Sequence, residues 1–164
     1  MSETQLEKEN KALKHHKTKV HHTLAHSYYS YFILFLLGIS LDLLYPIKIS
    51  VHPILISSIG FLIIVISTIL IFWAQRTSHK LNVKDEITVE TFCKGPYCYT
   101  RTPTNFGLFF LVLGFAFVIN AFFLVIFTII AFIIAKLFFL KKQEKILVEK
   151  YGAPYIEYKK KVRF

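Results

Sequence analysis

The sequence predicts an all-α integral membrane protein with about four transmembrane helices, of which the last two form a tight helical hairpin. The chain of 164 residues is 54% hydrophobic but only 18% charged, whereas an average soluble domain has about 25% charged residues. One core at this chain length cannot bury so much apolar surface, which excludes a soluble single domain. The apolar residues also fall into long runs with the charges collected between them, which is typical of a multi-pass membrane protein.

Residues 1–27 form a polar head rich in Lys and His. It shows no cleavable signal peptide, so we expect the first span to act as its own insertion signal. His15, His22 and His26 have the spacing of one helical face and are compatible with a metal ion. No carboxylate pattern supports such a site, and we favour an interfacial segment whose histidines meet water and headgroups. We therefore predict no metal site.

The first two predicted spans cover about 28–45 and 54–74. Asp42 lies near the end of the first span, where the cost of an acid is small, so we interpret it as structural or interfacial. The second span contains no charged residue and, as a helix, is about 31 Å long, which matches a hydrocarbon core of about 30 Å.

Residues 75–104 form the long polar loop between spans. Its segment 87–92 is rich in β-branched residues and is predicted to be extended, and the sequence 94–96, Lys-Gly-Pro, predicts a turn. Cys93 and Cys98 have no paired His or second cysteine pair beside them, so we interpret them as two free thiols.

Residues 105–140 form an apolar tract that, as one helix, would be about 54 Å long and exceed a bilayer. Asn120 is the polar break near its middle, which predicts a hairpin with spans at about 105–118 and 121–140. The tail, 141–164, contains Gly152 and Pro154 and should break and restart as a basic amphipathic helix on the membrane surface. Its apolar face would carry Tyr155, Tyr158 and Val162.

The charge distribution predicts the topology. All Lys and Arg residues except Lys48 and Lys136 lie in the head, the 75–104 loop and the tail. The positive-inside rule then gives four spans with both termini cytosolic, and basic clusters in these positions indicate the bilayer rather than nucleic acid as partner. We divide the chain into the head, 1–27, and a membrane domain, 28–164.

The loop and the start of the tail should emerge at the same membrane face. A pocket between them would hold a charged, amphiphilic cofactor against a lipid-borne substrate, although these residues alone do not identify either one. The residues expected to line it are Tyr97, Tyr99, Arg101, Asn105, Gln143 and Glu144.

Two motifs flank the predicted hairpin, with Trp73-Ala74 and residues 95–107 before it and residues 143–158 after it. The first reads Gly-Pro-Tyr-Cys-Tyr-Thr-Arg-Thr-Pro-Thr-Asn-Phe-Gly, and the second begins Gln-Glu-Lys-Ile-Leu and continues through Tyr151, Gly152, Tyr155 and Tyr158. In this order they resemble the membrane-embedded isoprenylcysteine carboxyl methyltransferase and phospholipid methyltransferase superfamily. Those proteins carry Gly-x-Tyr, Arg-His-Pro-x-Tyr-x-Gly, a hairpin and then Glu-Glu-x-x-Leu. The resemblance covers roughly residues 60–164.

The resemblance implies S-adenosyl-L-methionine as the cofactor. It implies methyl transfer to a carboxylate or amine of a lipid-like or prenylated substrate at the cytosolic membrane face, without naming the acceptor or any protein partner. It implies Arg101 and Glu144 as catalytic residues. The cofactor-binding residues carried over by position are Val89, Glu90, Thr91, Phe92, Tyr97, Thr102, Pro103, Thr104, Asn105, Gln143 and Glu144.

Three positions depart from the family pattern, since Thr102 replaces its His, Asn105 its Tyr and Gln143 its first Glu. These side chains still form hydrogen bonds but are uncharged. One alternative is therefore a non-catalytic relative that binds a lipid or a partner. Another is a small transporter or channel subunit, which should have polar or Gly/Pro-broken positions that the second and fourth spans almost lack.

The predicted topology can be tested with accessibility tags. Tags at residues 1 and 164 should be reached only from the cytosol, because the basic residues collect on that side. A tag inserted at Asn120 should be reached only from outside. A cytosolic tag at Asn120 would contradict the hairpin and the alignment of the two motifs that depends on it.

Overall fold

The computed structural model describes residue 26 and residues 28–81 and 92–162, and all regular secondary structure in these ranges is helical. This confirms the all-α prediction for that part of the chain. A 3₁₀ helix at Gly95–Cys98 precedes α3, and a π-helix at Ala135–Leu140 joins α4 to α5. The helices are α1 (Tyr28–Leu44), α2 (Pro53–Leu81), α3 (Pro103–Val118), α4 (Phe122–Ile134), α5 (Lys141–Tyr151) and α6 (Ala153–Lys161).

Two helical stretches are long and apolar enough to cross a membrane. They are Pro53–Ser78 within α2 and Phe122–Glu149, which runs from α4 into α5, whereas α1 and α3 are shorter apolar helices. Many large apolar side chains are exposed along α1 and α2. The predicted head with its histidines (apart from His26) and most of the extended segment 87–92 lie outside the described residues.

Two helices continue past the ends that the sequence predicted. α2 extends beyond position 74 to Leu81, because residues 75–81 contain no Gly or Pro to stop it. The helix after the hairpin continues beyond position 140 to Tyr151, through a change to π-helical hydrogen bonding. The break at Gly152 is as predicted, with φ at +61° between α5 and α6.

α2 and α3 pack at backbone contact through glycine. A Cβ at Gly60 would lie 2.6 Å from the carbonyl oxygen of Gly114, and a Cβ at Gly114 would lie 2.8 Å from that of Gly60. Further along the same pair, Gly107 packs against the side chain of Ile71. Since 60 faces 114 and 71 faces 107, the two helices are antiparallel. Small residues at such contacts allow the backbones to approach closely, which is how helices associate in lipid.

α1 packs antiparallel to α4. Tyr31 is buried against Ala131 and Ala135, while a Cβ at Gly38 would lie 3.0 Å from Cα of Leu124. With α3 and α4 joined by the short hairpin, the four helices alternate in direction. The loop before α3 and the helices α5 and α6 therefore lie at the same end of the molecule, as the sequence predicted for the loop and the tail.

Asp42 and Asn120 hold the opposite end together. The Asp42 carboxylate accepts hydrogen bonds from the backbone N–H groups of Phe123 (3.0 Å) and Leu124 (2.8 Å). These are N-terminal N–H groups of α4, which have no intrahelical acceptor, and the negative charge also suits the helix dipole. The structural interpretation of Asp42 is confirmed.

Asn120 makes the turn between α3 and α4. It adopts φ of +53°, a left-handed conformation that Asn tolerates better than other non-glycine residues. Its Oδ1 accepts a hydrogen bond of 3.0 Å from the backbone N–H of Ile49, in the α1–α2 link. The break predicted at Asn120 is confirmed, and the residue also ties the two links together.

Substitution of Gly114 by Val should disrupt the α2–α3 contact. The added side chain would overlap the Gly60 carbonyl and the Ile64 side chain, and we expect a loss of about 1–3 kcal/mol of stability. Thermal unfolding in detergent measures the effect. Ser58→Val, on the exposed side of α2, is the matched control and should change stability by less than about 0.5 kcal/mol. Equal effects would contradict the packing described here.

Candidate functional site

The loop before α3 rests on the C-terminal part of α2. Gly95 adopts φ of +54°, and a Cβ there would lie 3.0 Å from Thr77 Oγ1 and 3.1 Å from Trp73 Nε1. Glycine is required both for the left-handed conformation and for the close approach. Pro96 follows as the buried residue of the 3₁₀ helix. The predicted turn at 94–96 is confirmed, and α2 determines where the loop lies.

Cys93 and Cys98 form a disulfide bond, so the interpretation of two free thiols was wrong. Their Cα atoms are 4.4 Å apart, close enough for a bridge. The 3₁₀ helix reverses the chain between them and brings the two side chains together. A C-x4-C spacing by itself does not reveal this, because the spacing permits a bridge only in a turned backbone.

Arg101 and Glu144 form an ion pair that joins the two motifs. Arg101 Nη1 lies 2.7 Å from Glu144 Oε1, and the two side chains are only 17% and 16% exposed. Lys159 Nζ of α6 lies 2.6 Å from the other carboxylate oxygen of Glu144. The cluster therefore has two cations and one anion, and Glu144 is shared between the loop and the tail.

α6 docks on the loop through aromatic side chains. The Phe92 ring lies 5.1 Å from Tyr151 and 5.5 Å from both Tyr155 and Tyr158, measured between ring centroids. The hydroxyl of Tyr158 donates a hydrogen bond of 2.6 Å to the backbone carbonyl of Tyr97.

The predicted apolar face of the tail is confirmed, since Tyr155, Tyr158 and Val162 are all buried together. The residues packed against that face are Phe92, Leu147, Val148 and Tyr151. Because protein covers this side of α6, its other sides remain for any contact with a membrane surface.

Burial makes the tyrosines of this cluster harder to ionise than a free tyrosine, which is already neutral at neutral pH. It raises the pKa of Tyr155 to about 12, with a further increase from Glu144 that Arg101 partly opposes. Burial, with smaller contributions from Tyr155 and Tyr97, also raises the pKa of Tyr158. Both phenols are therefore protonated at neutral pH and remain hydrogen-bond donors.

Asn105, in the first turn of α3, has a buried side-chain amide and follows Arg101 of the ion pair closely in the sequence. Pro103 is in the first turn, and the Thr102 carbonyl accepts from the N–H groups of Asn105 and Phe106. Asn105 is 9% exposed, and its Nδ2 has no hydrogen-bond partner among the described residues. A buried donor without an acceptor costs about 1–3 kcal/mol, so this amide is suited to an acceptor atom of a ligand.

Tyr31 of α1 has a buried hydroxyl that also lacks a partner among the described residues. Leu108, one turn after Asn105, packs against the Tyr31 cluster. The sequence predicts Tyr28, Tyr29 and Tyr31 together as an aromatic belt at the end of the first span, and no local signal distinguishes Tyr31 from the other two. The burial of Tyr31 depends on the packing of α1 against α4.

An apolar groove lies between the α2 end, the loop and α3. Its volume is about 490 Å³, within the range of about 300–1,000 Å³ for ligand pockets. Of the residues expected to line a pocket, Tyr99 is the one that contributes to this groove. Its lining residues are Leu70, Trp73, Pro96, Tyr99, Thr100, Phe106 and Phe110.

The predicted site residues are brought together in part. Arg101 and Glu144 are in contact, with Gln143 partly buried next to Glu144 in α5. Phe92 and Tyr97 contact α6. Three other predicted residues lie outside the described part of the chain, namely Val89, Glu90 and Thr91. Lys159 of α6 is a further partner of Glu144, which the sequence does not predict.

Chemically, this end of the molecule combines cations, a carboxylate, neutral phenols and a buried amide next to an apolar groove. Such a set can hold a charged molecule by its polar groups and an apolar one beside it. Within the described residues, no group of three or more His, Cys, Asp or Glu side chains is arranged to hold a metal ion. No family model matches the chain, and neither a curated protein nor a solved structure matches it.

Removal of the Tyr158 hydroxyl should weaken the docking of α6. In Tyr158→Phe the carbonyl of Tyr97 loses its donor, and we expect a loss of about 1 kcal/mol in the docked state. Hydrogen exchange of the backbone amides in residues 153–162 should accelerate roughly fivefold. Tyr99→Phe is the matched control, because the Tyr99 side chain is 79% exposed. Unchanged exchange in Tyr158→Phe would show that this hydrogen bond does not hold α6.

Proposed function

We propose that the chain is a membrane methyltransferase with four spans and cytosolic termini. It would transfer the methyl group of S-adenosyl-L-methionine to a lipid-like or prenylated substrate. The observation that carries the proposal is the 2.7 Å contact between Arg101 and Glu144, because it joins the two motifs on which the family resemblance rests. Forty-odd residues and a helical hairpin separate them in the sequence.

Membrane insertion is supported by the surface of the helices. The side chains of Leu43, Ile54 and Phe61 are 79%, 68% and 66% exposed. Apolar surface on this scale is costly in water and is normal in lipid. The shorter α1 and α3 would then be the partners of the two long helices within the bilayer, which is what the four-span proposal requires.

The residues present fit the cofactor. The unpartnered Nδ2 of Asn105 offers a donor to a carboxylate, hydroxyl or ring nitrogen, and Arg101 offers a cation to a carboxylate. Tyr155 and Tyr158 are neutral at neutral pH like any tyrosine, and burial raises their pKa further, so they add no competing negative charge. The substitutions at Thr102, Asn105 and Gln143 retain hydrogen-bonding capacity.

The residues of the site would serve to orient the cofactor and the substrate relative to each other. Held by Arg101 and Asn105, the cofactor would supply an electrophilic methyl group on a positively charged sulfur to an oxygen or nitrogen of the substrate. The chain needs to align the two reactants and exclude water. The loop would do both, since it covers the helix ends, and the groove beside Tyr99 would take the apolar part of the substrate.

A non-catalytic relative is the second candidate, and one observation favours it. Both oxygens of Glu144 are already paired within the chain, with Arg101 and Lys159, as expected for a cluster that only holds the tail. Cofactor binding separates the two candidates. A ligand at about 100 times its dissociation constant stabilises the folded state by about 2.7 kcal/mol. The detergent-solubilised protein should therefore melt at a higher temperature with S-adenosyl-L-methionine, and the absence of a shift in folded protein would favour the non-catalytic candidate.

Variants of the ion pair test its role in activity. Arg101→Ala and Glu144→Ala should each reduce methyl transfer from labelled cofactor to a membrane-lipid extract by about tenfold or more, or at least about 1.4 kcal/mol of transition-state stabilisation. Arg76→Ala in α2 and Glu149→Ala in α5 are matched controls at exposed positions and should retain activity.

The exchanged pair, Arg101→Glu with Glu144→Arg, separates a structural from a catalytic role. It should recover part of the thermal stability lost in the single variants but not the methyl transfer, because Arg101 would no longer meet the cofactor. Recovery of activity in the exchanged pair would mean that the pair acts only through structure.

A further inference from the structure

We propose that the Cys93–Cys98 disulfide is a reversible redox switch that controls the docking of α6 on the loop. The proposal is independent of the proposed methyl transfer, because it concerns the attachment of the tail to the rest of the chain. It rests on the positions of the two cysteines relative to the residues that hold α6.

Two of the contacts that hold α6 come from residues directly before a cysteine. Phe92 precedes Cys93 and packs against Tyr155 and Tyr158, while Tyr97 precedes Cys98 and accepts the hydrogen bond of Tyr158. The disulfide therefore fixes the distance between the two contacts. When the bridge opens, the aromatic contact and the hydrogen bond are no longer held at the spacing that α6 requires.

The middle of the disulfide ring is anchored separately. Gly95 lies against Trp73 and Thr77 of α2, and Pro96 is buried. Cleavage of the bridge therefore leaves Gly95 and Pro96 attached to α2. It releases mainly the residues on either side of them, among them Phe92 and Tyr97. The ring is also short, so it constrains little of the unfolded chain, and we do not expect its cleavage to unfold the helices α1 to α4.

The consequence reaches the charged cluster. Lys159 belongs to α6 and pairs with Glu144 Oε2, whereas Arg101 belongs to the loop and pairs with Oε1. Release of α6 withdraws Lys159 and leaves Glu144 with Arg101. The oxidised state thus has a carboxylate shared by two cations, and the reduced state has a simple ion pair with one oxygen open to other partners.

The bridge is placed where a reductant can reach it. Cys93 and Cys98 are both partly exposed. The distribution of Lys and Arg predicts that this loop faces the cytosol, where disulfide bonds are uncommon and, when present, are usually transient, catalytic or redox-sensing.

The chemistry is thiol–disulfide exchange with a cellular dithiol. A thiolate of the dithiol attacks one sulfur, the Cys93–Cys98 bond breaks, and the other cysteine leaves as a thiolate that takes up a proton. The second thiol of the reductant then attacks the reductant's own sulfur in the mixed disulfide, that bond breaks, and the remaining cysteine leaves as a thiolate that takes up a proton. Two electrons pass to the chain, which gains two thiols, and the reductant becomes a disulfide. Oxidation by a small disulfide reverses these steps.

Hydrogen exchange of the intact protein in detergent tests the switch. Addition of dithiothreitol should accelerate exchange in residues 153–162 by roughly tenfold and leave α2 and α3 unchanged. Reoxidation with oxidised glutathione should restore slow exchange. Cys93→Ser with Cys98→Ser should exchange fast with or without reductant. Unchanged exchange after reduction, with both thiols shown to be alkylated, would overturn the proposal.

A second measurement follows the thiols in cells and does not require a variant to fold. The chain contains two cysteines, so a maleimide of high mass reports their state on a gel without interference from other thiols of the chain. Rapid alkylation should find them reduced in resting cells and bridged after a thiol oxidant. A bridge that persists in resting cells would mark a structural disulfide, and thiols that stay free after oxidation would mark a bridge that does not form. Either result would contradict the switch.

Discussion

The close approach of α2 and α3 at Gly60 and Gly114 is the contact on which the rest of the molecule depends. In the proposed membrane setting, helices gain no hydrophobic energy by associating, so tight packing between small residues has to supply the attraction. Once α2 is held against α3, its last turns, at Trp73 and Thr77, form the surface on which Gly95 rests. The loop therefore takes its position from a contact between two residues on either side of it in the sequence, Gly60 and Gly114, and Arg101 takes its position from the loop.

The two ends of the helices satisfy their polar groups in different ways. At one end, Asp42 and Asn120 use their side-chain oxygens on backbone N–H groups of other segments, which closes that end within the chain. At the other end, charged and phenolic side chains collect from the loop, α5 and α6, and the amide of Asn105 has no partner among the described residues. A buried donor without a partner at the second end is suited to an acceptor atom of a ligand. This contrast is the physical basis for assigning function there.

The candidate site was predicted in its outline and missed in its details. Motif order indicated that Arg101 and Glu144 would meet, and they do. Lys159 and the Cys93–Cys98 bridge were not predicted. Lys159 begins a run of three lysines, Lys159 to Lys161, so the sequence pattern assigns it to a solvated surface. The bridge depends on a turn whose backbone conformation brings the two cysteines together, and spacing alone leaves that conformation open. The sequence predicts the apolar face of α6 correctly but predicts the membrane as its partner, whereas Phe92 and residues of α5 cover it. A sequence shows that a face is apolar, but it does not show what packs against that face.

The sequence by itself determined the helical class, the turn at Asn120, the break at Gly152 and the gathering of loop and tail at one end. Each of these follows from local composition, because long apolar runs favour helices, while Asn, Gly and Pro favour their ends. Tertiary structure decided which carbonyl accepts the hydrogen bond of the Tyr158 hydroxyl and how Glu144 divides its oxygens between Arg101 and Lys159. It also gave Asp42 its partners in α4. These contacts join residues far apart in the chain, and a distance between such residues is set by the packing of whole helices rather than by any local pattern.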